Sequence, residues 1–168
     1  MRLPVLFFIP AVLFLAVVFA LTGCHSTQEA VPTYTRTELP DRTYDGPVLN
    51  PSDPEDRERI DRMPTAEGGM PQIQRRIGFP RTARYYGLET TVHVVFTVGP
   101  DGQPYDVAIA RAPAEEVLAQ LSEGEREALA DLQHHAKQVI WRSTFEPGIA
   151  DGEPVAMQSF WPLTFRIQ

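Results

Sequence analysis

A single cysteine, Cys24, in 168 residues excludes an internal disulfide and any thiolate metal cluster. Cations are also in deficit, with 15 Lys plus Arg against 22 Asp plus Glu and a net charge of −7. Phosphate neutralisation needs clustered cations, so this balance argues against nucleic acid as the partner. The chain has no Gly-x-Ser-x-Gly elbow, no phosphate loop and no dinucleotide fingerprint. His134 and His135 are neighbours on a helical stretch and point about 100° apart, so they do not ligate one ion from one face. His93 lies on a strand, Asp101 and Asp151 are turn residues, and Glu123, Glu125 and Glu127 suit a helix start. No catalytic residue, metal or cofactor is expected.

Only one long apolar run is present, from Leu3 to Leu21 behind Arg2, and it ends in Leu21-Thr22-Gly23-Cys24. Small residues directly before the lone cysteine read as an export signal with a processing site. These four residues resemble the lipobox of bacterial lipoproteins, which implies that Cys24 is the lipidated first residue of the mature chain. His25 stands where an Asp would favour inner-membrane retention. The resemblance therefore implies an outer-membrane anchor facing the periplasm. The alternative is a retained transmembrane helix, since about 20 apolar residues can span a bilayer, although Pro4 and Pro10 weaken it.

Three segments follow: a signal at 1–23, a disordered tether at 24–62 and a folded domain at 63–168. The tether shows no sustained period and carries Pro32, Pro40, Pro47, Pro51 and Pro54. In the domain, Ile73 and Ile77 share a helical face, and Arg81 to Tyr86 form a second short helix stopped by Gly87. Val92, Val94, Phe96 and Val98 alternate with Thr91, His93, Val95 and Thr97, which predicts a strand. Gly99-Pro100-Asp101-Gly102 is a turn, and Tyr105, Val107 and Ile109 alternate after it, so 91–110 is a β-hairpin. Val117, Leu118 and Leu121 suggest another short helix. Ser122 and Glu125 have capping-box spacing before a helix of about five turns with Leu129, Leu132, Ala136, Val139 and Ile140 on one stripe. Val155, Met157, Trp161, Leu163, Phe165 and Ile167 predict a last strand, with Ser159 the polar exception.

The expected fold is α+β: a small three-stranded antiparallel sheet packed against one long helix, with short N-terminal helices. If each strand lies beside an antiparallel neighbour, the first is central and the order is 2-1-3. Pro162 agrees, because proline in a sheet is confined to an edge.

Three groups of residues together resemble the C-terminal domain of the TonB family, the periplasmic end of energy transducers. They are Ile77-Gly78-Phe79-Pro80-Arg81-Thr82-Ala83-Arg84 with Gly87-Leu88-Glu89; Val92 to Val98 with Asp101-Gly102 and Asp106-Val107; and Trp141, Phe145-Glu146-Pro147-Gly148, Gly152, Pro154-Val155, Pro162 and Phe165. Thr90 stands where the family usually has Gly, Ala112 to Glu127 is longer than the usual link, and Ser143-Thr144 look inserted.

The resemblance implies a module that pairs its last strand with an extended segment of an envelope protein, such as a TonB-dependent outer-membrane transporter. The partner-binding residues it implies are Val155, Met157, Gln158, Ser159, Phe160 and Pro162, with Phe79, Pro80 and Arg81 as a second contact; the alternative is that Phe79 and Trp161 are core and the edge is covered by the chain's own N-terminal part or by a second copy. The run Leu3 to Leu21 lacks the polar residues of a motor-coupled helix, and the tether lacks Lys and repeats. The leading expectation is thus a lipid-anchored adaptor, against a true transducer or a structural lipoprotein that self-associates as a homodimer through the same strand.

Overall fold

The computed structural model describes residues 36–167. The signal at 1–23 and the lipidation site Cys24 lie outside the described residues. In chain order the elements are α1 (Pro54–Arg59), β1 (Ile60–Arg62), β2 (Thr65–Ala66), α2 (Gly69–Arg76), α3 (Arg81–Tyr85), β3 (Thr90–Val98), β4 (Pro104–Ile109), α4 (Glu115–Gln120), α5 (Glu123–Trp141), β5 (Phe145–Glu146), β6 (Gly148–Ala150), β7 (Glu153–Val155) and β8 (Met157–Phe165).

The main sheet is antiparallel and runs β4-β3-β8, with β3 in the middle as the antiparallel placement implied. Two smaller sheets, β1-β6-β7 and β2-β5, lie outside that expectation. Val92, Val94, Phe96 and Val98 all point into the core, where they meet Leu163 and Phe165 of β8. Against this face lies α5, whose Ala128, Leu132, Ala136 and Ile140 are fully buried at steps of four. Leu132 and Ile140 each contribute about 2 kcal/mol through burial alone. Ser122 and Glu125 form the expected capping box at its start. Four shorter helices accompany this long one.

The hairpin contains one irregularity. Val95 faces Ala108 but Thr97 faces Tyr105, so two residues of β4 oppose Phe96 alone. Asp106 takes a φ of 51° at this bulge. Val107 and Ile109 keep to the core side, whereas Tyr105 leaves it and lies opposite Thr97. At the hairpin turn Gly102 has a φ of 74°, and a Cβ there would collide with the Phe145 carbonyl oxygen. Only glycine meets both demands.

The expected tether differs most from the structure. Its described part, 36–62, packs along the domain, so the folded unit begins upstream of Met63. Asp53 caps α1 by accepting from the Glu55 N–H, and β1 pairs with β6. Before α1 the chain has no regular secondary structure but is fastened at intervals. Arg36 donates through Nε to Asp131 at 2.7 Å, and Arg42 lies 4.9 Å from the centre of the Trp141 ring. The Arg42 carbonyl accepts from the Asp106 N–H that the bulge turns outward, and the Tyr44 ring packs edge-on against Tyr105. Leu49 then adds to β8 in a parallel bridge opposite Met157. This strap lacks an apolar period because single contacts hold it, each to a distant residue.

Candidate functional site

The outward edge of β8 is where the sheet ends. Which main-chain groups face outward follows from two hydrogen bonds: Leu49 N–H donates to Ala156 O, and Gln158 N–H donates to Leu49 O, both at 2.9 Å. Residues 156 and 158 therefore face away from β3. The register with β3 is unbroken from Met157 to Phe165, so Phe160, Pro162 and Thr164 face the same way. Pro162 has no N–H to offer, which makes its place on the outward side costless.

The strap occupies only the start of this edge. At the other end, Gln74 of α2 donates its side-chain amide to the Thr164 carbonyl at 2.9 Å. Between these clamps, the Gln158 C=O, the Phe160 N–H and C=O, the Pro162 C=O and the Thr164 N–H have no protein partner among the described residues. An extended chain laid alongside meets two donors and three acceptors.

Side chains frame this gap. Phe160 is 57% exposed and its ring stacks on His93, with centroids 5.3 Å apart. Below it, Asn50, Pro51, Met63 and Pro64 line a notch of about 200 Å³ with Gln158 and Phe160. Above it, a groove of about 600 Å³ is walled by Arg75, Ile77, Phe79, Arg84, Thr164 and Arg166. The open stretch runs from the one hollow to the other.

The expected binding residues separate accordingly. Phe160 and Pro162 lie on the open stretch. Val155 does not: it belongs to β7, where it pairs with Gly148, because the chain breaks at Ala156. Met157 is fully buried and Ser159 is 6% exposed, both facing the core since their strand positions are odd. Gln158 is exposed, but its N–H is already taken by Leu49. Phe79 packs edge-on against Phe165 in the wall of the upper groove. Pro80 is buried at the start of α3, and Arg81 is exposed on that helix.

Burial is the first cause that pushes the His134 and His135 imidazoles below their ordinary range. His135 packs near Phe165 and carries a buried Nδ1 with no partner among the described residues. Among the described residues no group of three or more His, Cys, Asp or Glu is placed to hold a metal ion, and no helix is long and apolar enough to cross a membrane.

No family model and no curated protein matches the chain. Among solved structures it is similar to the TonB C-terminal domain of Pseudomonas aeruginosa, at 27% identity over 54% of this chain and 78% of that one, with a TM-score of 0.35. It is also similar to the TonB C-terminal domain of Helicobacter pylori, at 19% identity over 57% of this chain and 74% of that one, with a TM-score of 0.31. At those TM-scores the likeness carries none of the functional argument, which rests on the edge of β8.

Proposed function

We propose that the chain is a protein-binding module of the cell envelope that accepts an extended segment of a partner protein along β8 between Phe160 and Thr164. The observation that carries this reading is the run of unpartnered main-chain groups between the Leu49 bridge and the Gln74 clamp. Strand addition to a sheet edge gains main-chain hydrogen bonds, while flanking hollows select side chains. The lipobox-like Leu21-Thr22-Gly23-Cys24 supports an anchor on the outer membrane facing the periplasm, and the TonB-like motifs support a link to outer-membrane transport.

A photoreactive residue at Phe160 tests the edge in intact cells, with the crosslinked protein identified. Thr164→Pro removes an outward N–H without touching the core-facing side, and is expected to abolish that crosslink. A crosslink that survives Thr164→Pro with unchanged yield refutes strand pairing. Mass spectrometry of the mature N-terminus separates adaptor from transducer: a diacylated Cys24 supports the adaptor, and an intact Met1 supports a transducer with a retained helix.

Self-association is a second reading, favoured by the exposed Phe160 ring beside an open edge. Light scattering that finds a dimer lost on Thr164→Pro would support it; a strict monomer counts against it.

A further inference from the structure

We infer that the segment paired with β8 carries acidic residues at the end that reaches past Thr164, seated among Arg75, Arg84 and Arg166. This rests on the edge-pairing reading and names the chemistry of its partner. The three arginines come from separate places: α2, α3 and the residue after β8. They line one groove, and among the described residues no Asp or Glu lines it with them. The chain as a whole has the opposite balance, with a net charge of −7. A local cluster of one sign on a molecule of the other sign is a recognition field rather than a solubility device.

Among the described residues the ion pairs are Arg36 with Asp131 and Arg59 with Asp151, and none of the three arginines takes part in either. Glu89, beside the end of the strand, has its carboxylate on the Ile167 N–H at 2.6 Å. Arg84 rests against the Phe79 ring, 5.9 Å from its centre, which holds that guanidinium beside the groove.

Position favours a peptide over a membrane surface. Thr164 both ends the open edge and lines the groove, so a strand paired at Phe160 and Pro162 runs into the arginines within about three further residues, at roughly 3.3 Å each. Ile77 and Phe79 supply apolar walls for the side-chain stems, and guanidinium forks meet carboxylates in bidentate pairs.

The test uses the full chain in detergent micelles and two pairs of fluorescein-labelled eight-residue peptides. Each has five alternating Thr and Val residues and three Asp at one end, N-terminal in one pair and C-terminal in the other, with Asn replacing Asp in its control. The expected result is that one Asp peptide binds about tenfold tighter than its Asn control at low salt, with the gap closing as salt rises. It should also protect the Phe160 and Thr164 amides from hydrogen exchange. Arg84→Gln with Arg166→Gln should erase the preference, while Arg84→Lys with Arg166→Lys should keep much of it.

Equal binding of Asp and Asn peptides, with both amides protected, overturns the acidic preference and leaves the edge reading standing. Protection of neither amide by any peptide overturns both. Anionic vesicles that bind through the same arginines, with no Asp preference among the peptides, assign the groove to membrane and overturn the inference.

Discussion

Arg36→Ala should cost the fold far more than a surface substitution does. Asp131 sits on α5 with no exposed side-chain surface and accepts from Arg36 Nε at 2.7 Å and from Thr82 Oγ1 at 2.6 Å. Arg36 also donates through Nη2 to the Glu127 carbonyl at 3.1 Å. Taking away one member of a buried pair leaves a charge in a medium that solvates it poorly, typically at about 3–5 kcal/mol. Here 41% of the Arg36 side chain is exposed, so water reaches that end of the site and replaces part of what is lost. A loss of about 2–3 kcal/mol follows from that discount, well above the roughly 0–1 kcal/mol of an exposed pair. In urea, with a slope of about 1.5 kcal/mol per molar for a domain of this size, the midpoint should fall by roughly 1.5 M. Circular dichroism on a chain of residues 31–168 reads this directly. Adding Asp131→Asn to Arg36→Ala should recover part of the loss, because a neutral amide keeps a bond to Thr82 and buries no charge. A midpoint that moves by less than about 0.3 M, the shift of a surface pair at that slope, refutes the clasp.

A chain begun at Met63 loses Arg36, Arg42, Leu49 and β1 together, so its urea midpoint should fall below that of the Arg36→Ala variant. Equal midpoints would show that the strap does not stabilise the domain. Gly102→Ala should destabilise by about 2 kcal/mol or more, since it strains a positive φ and collides with the Phe145 carbonyl; thermal unfolding that is unchanged would contradict the turn geometry. His135 has a folded pKa below its unfolded one, chiefly through burial and then through His134 and Arg142, so the folded state binds fewer protons. The stability this contributes is full above the ordinary value of 6.5 and is lost as the pH falls through it towards the folded value. The urea midpoint should therefore be higher at pH 7.5 than at pH 5.5, and His135→Phe should flatten that difference.

Much of the main sheet and its helix was legible because each is an amphipathic element with a regular period. Val92 to Val98 and Leu129 to Ile140 announce their faces in any window of the chain. The strap was not legible for the same reason in reverse: Leu49 and Arg42 act singly, and no period marks them. Asp131 resembles a solvated helix acid until its partner 95 residues away is placed on it. The bulge at Asp106 was hidden because one extra residue leaves Val107 and Ile109 in step. Pro162 signalled a strand at the margin of a sheet. Which of its neighbours face outward could not be read, because that parity is fixed by the register of β8 against β3. The arginines of the upper groove were similarly dispersed, one on each of three elements.

Leu49 sets a length limit. A visiting strand that lies along β8 abuts the strap at one end, and only positions 160 to 164 remain, a span of roughly 15 Å. Two N–H groups and two carbonyls are on offer there, each worth about 1 kcal/mol net. So short a ruler makes main-chain zippering alone a millimolar grip, brief enough to let go under load, and leaves discrimination to whatever fills the hollows at either end.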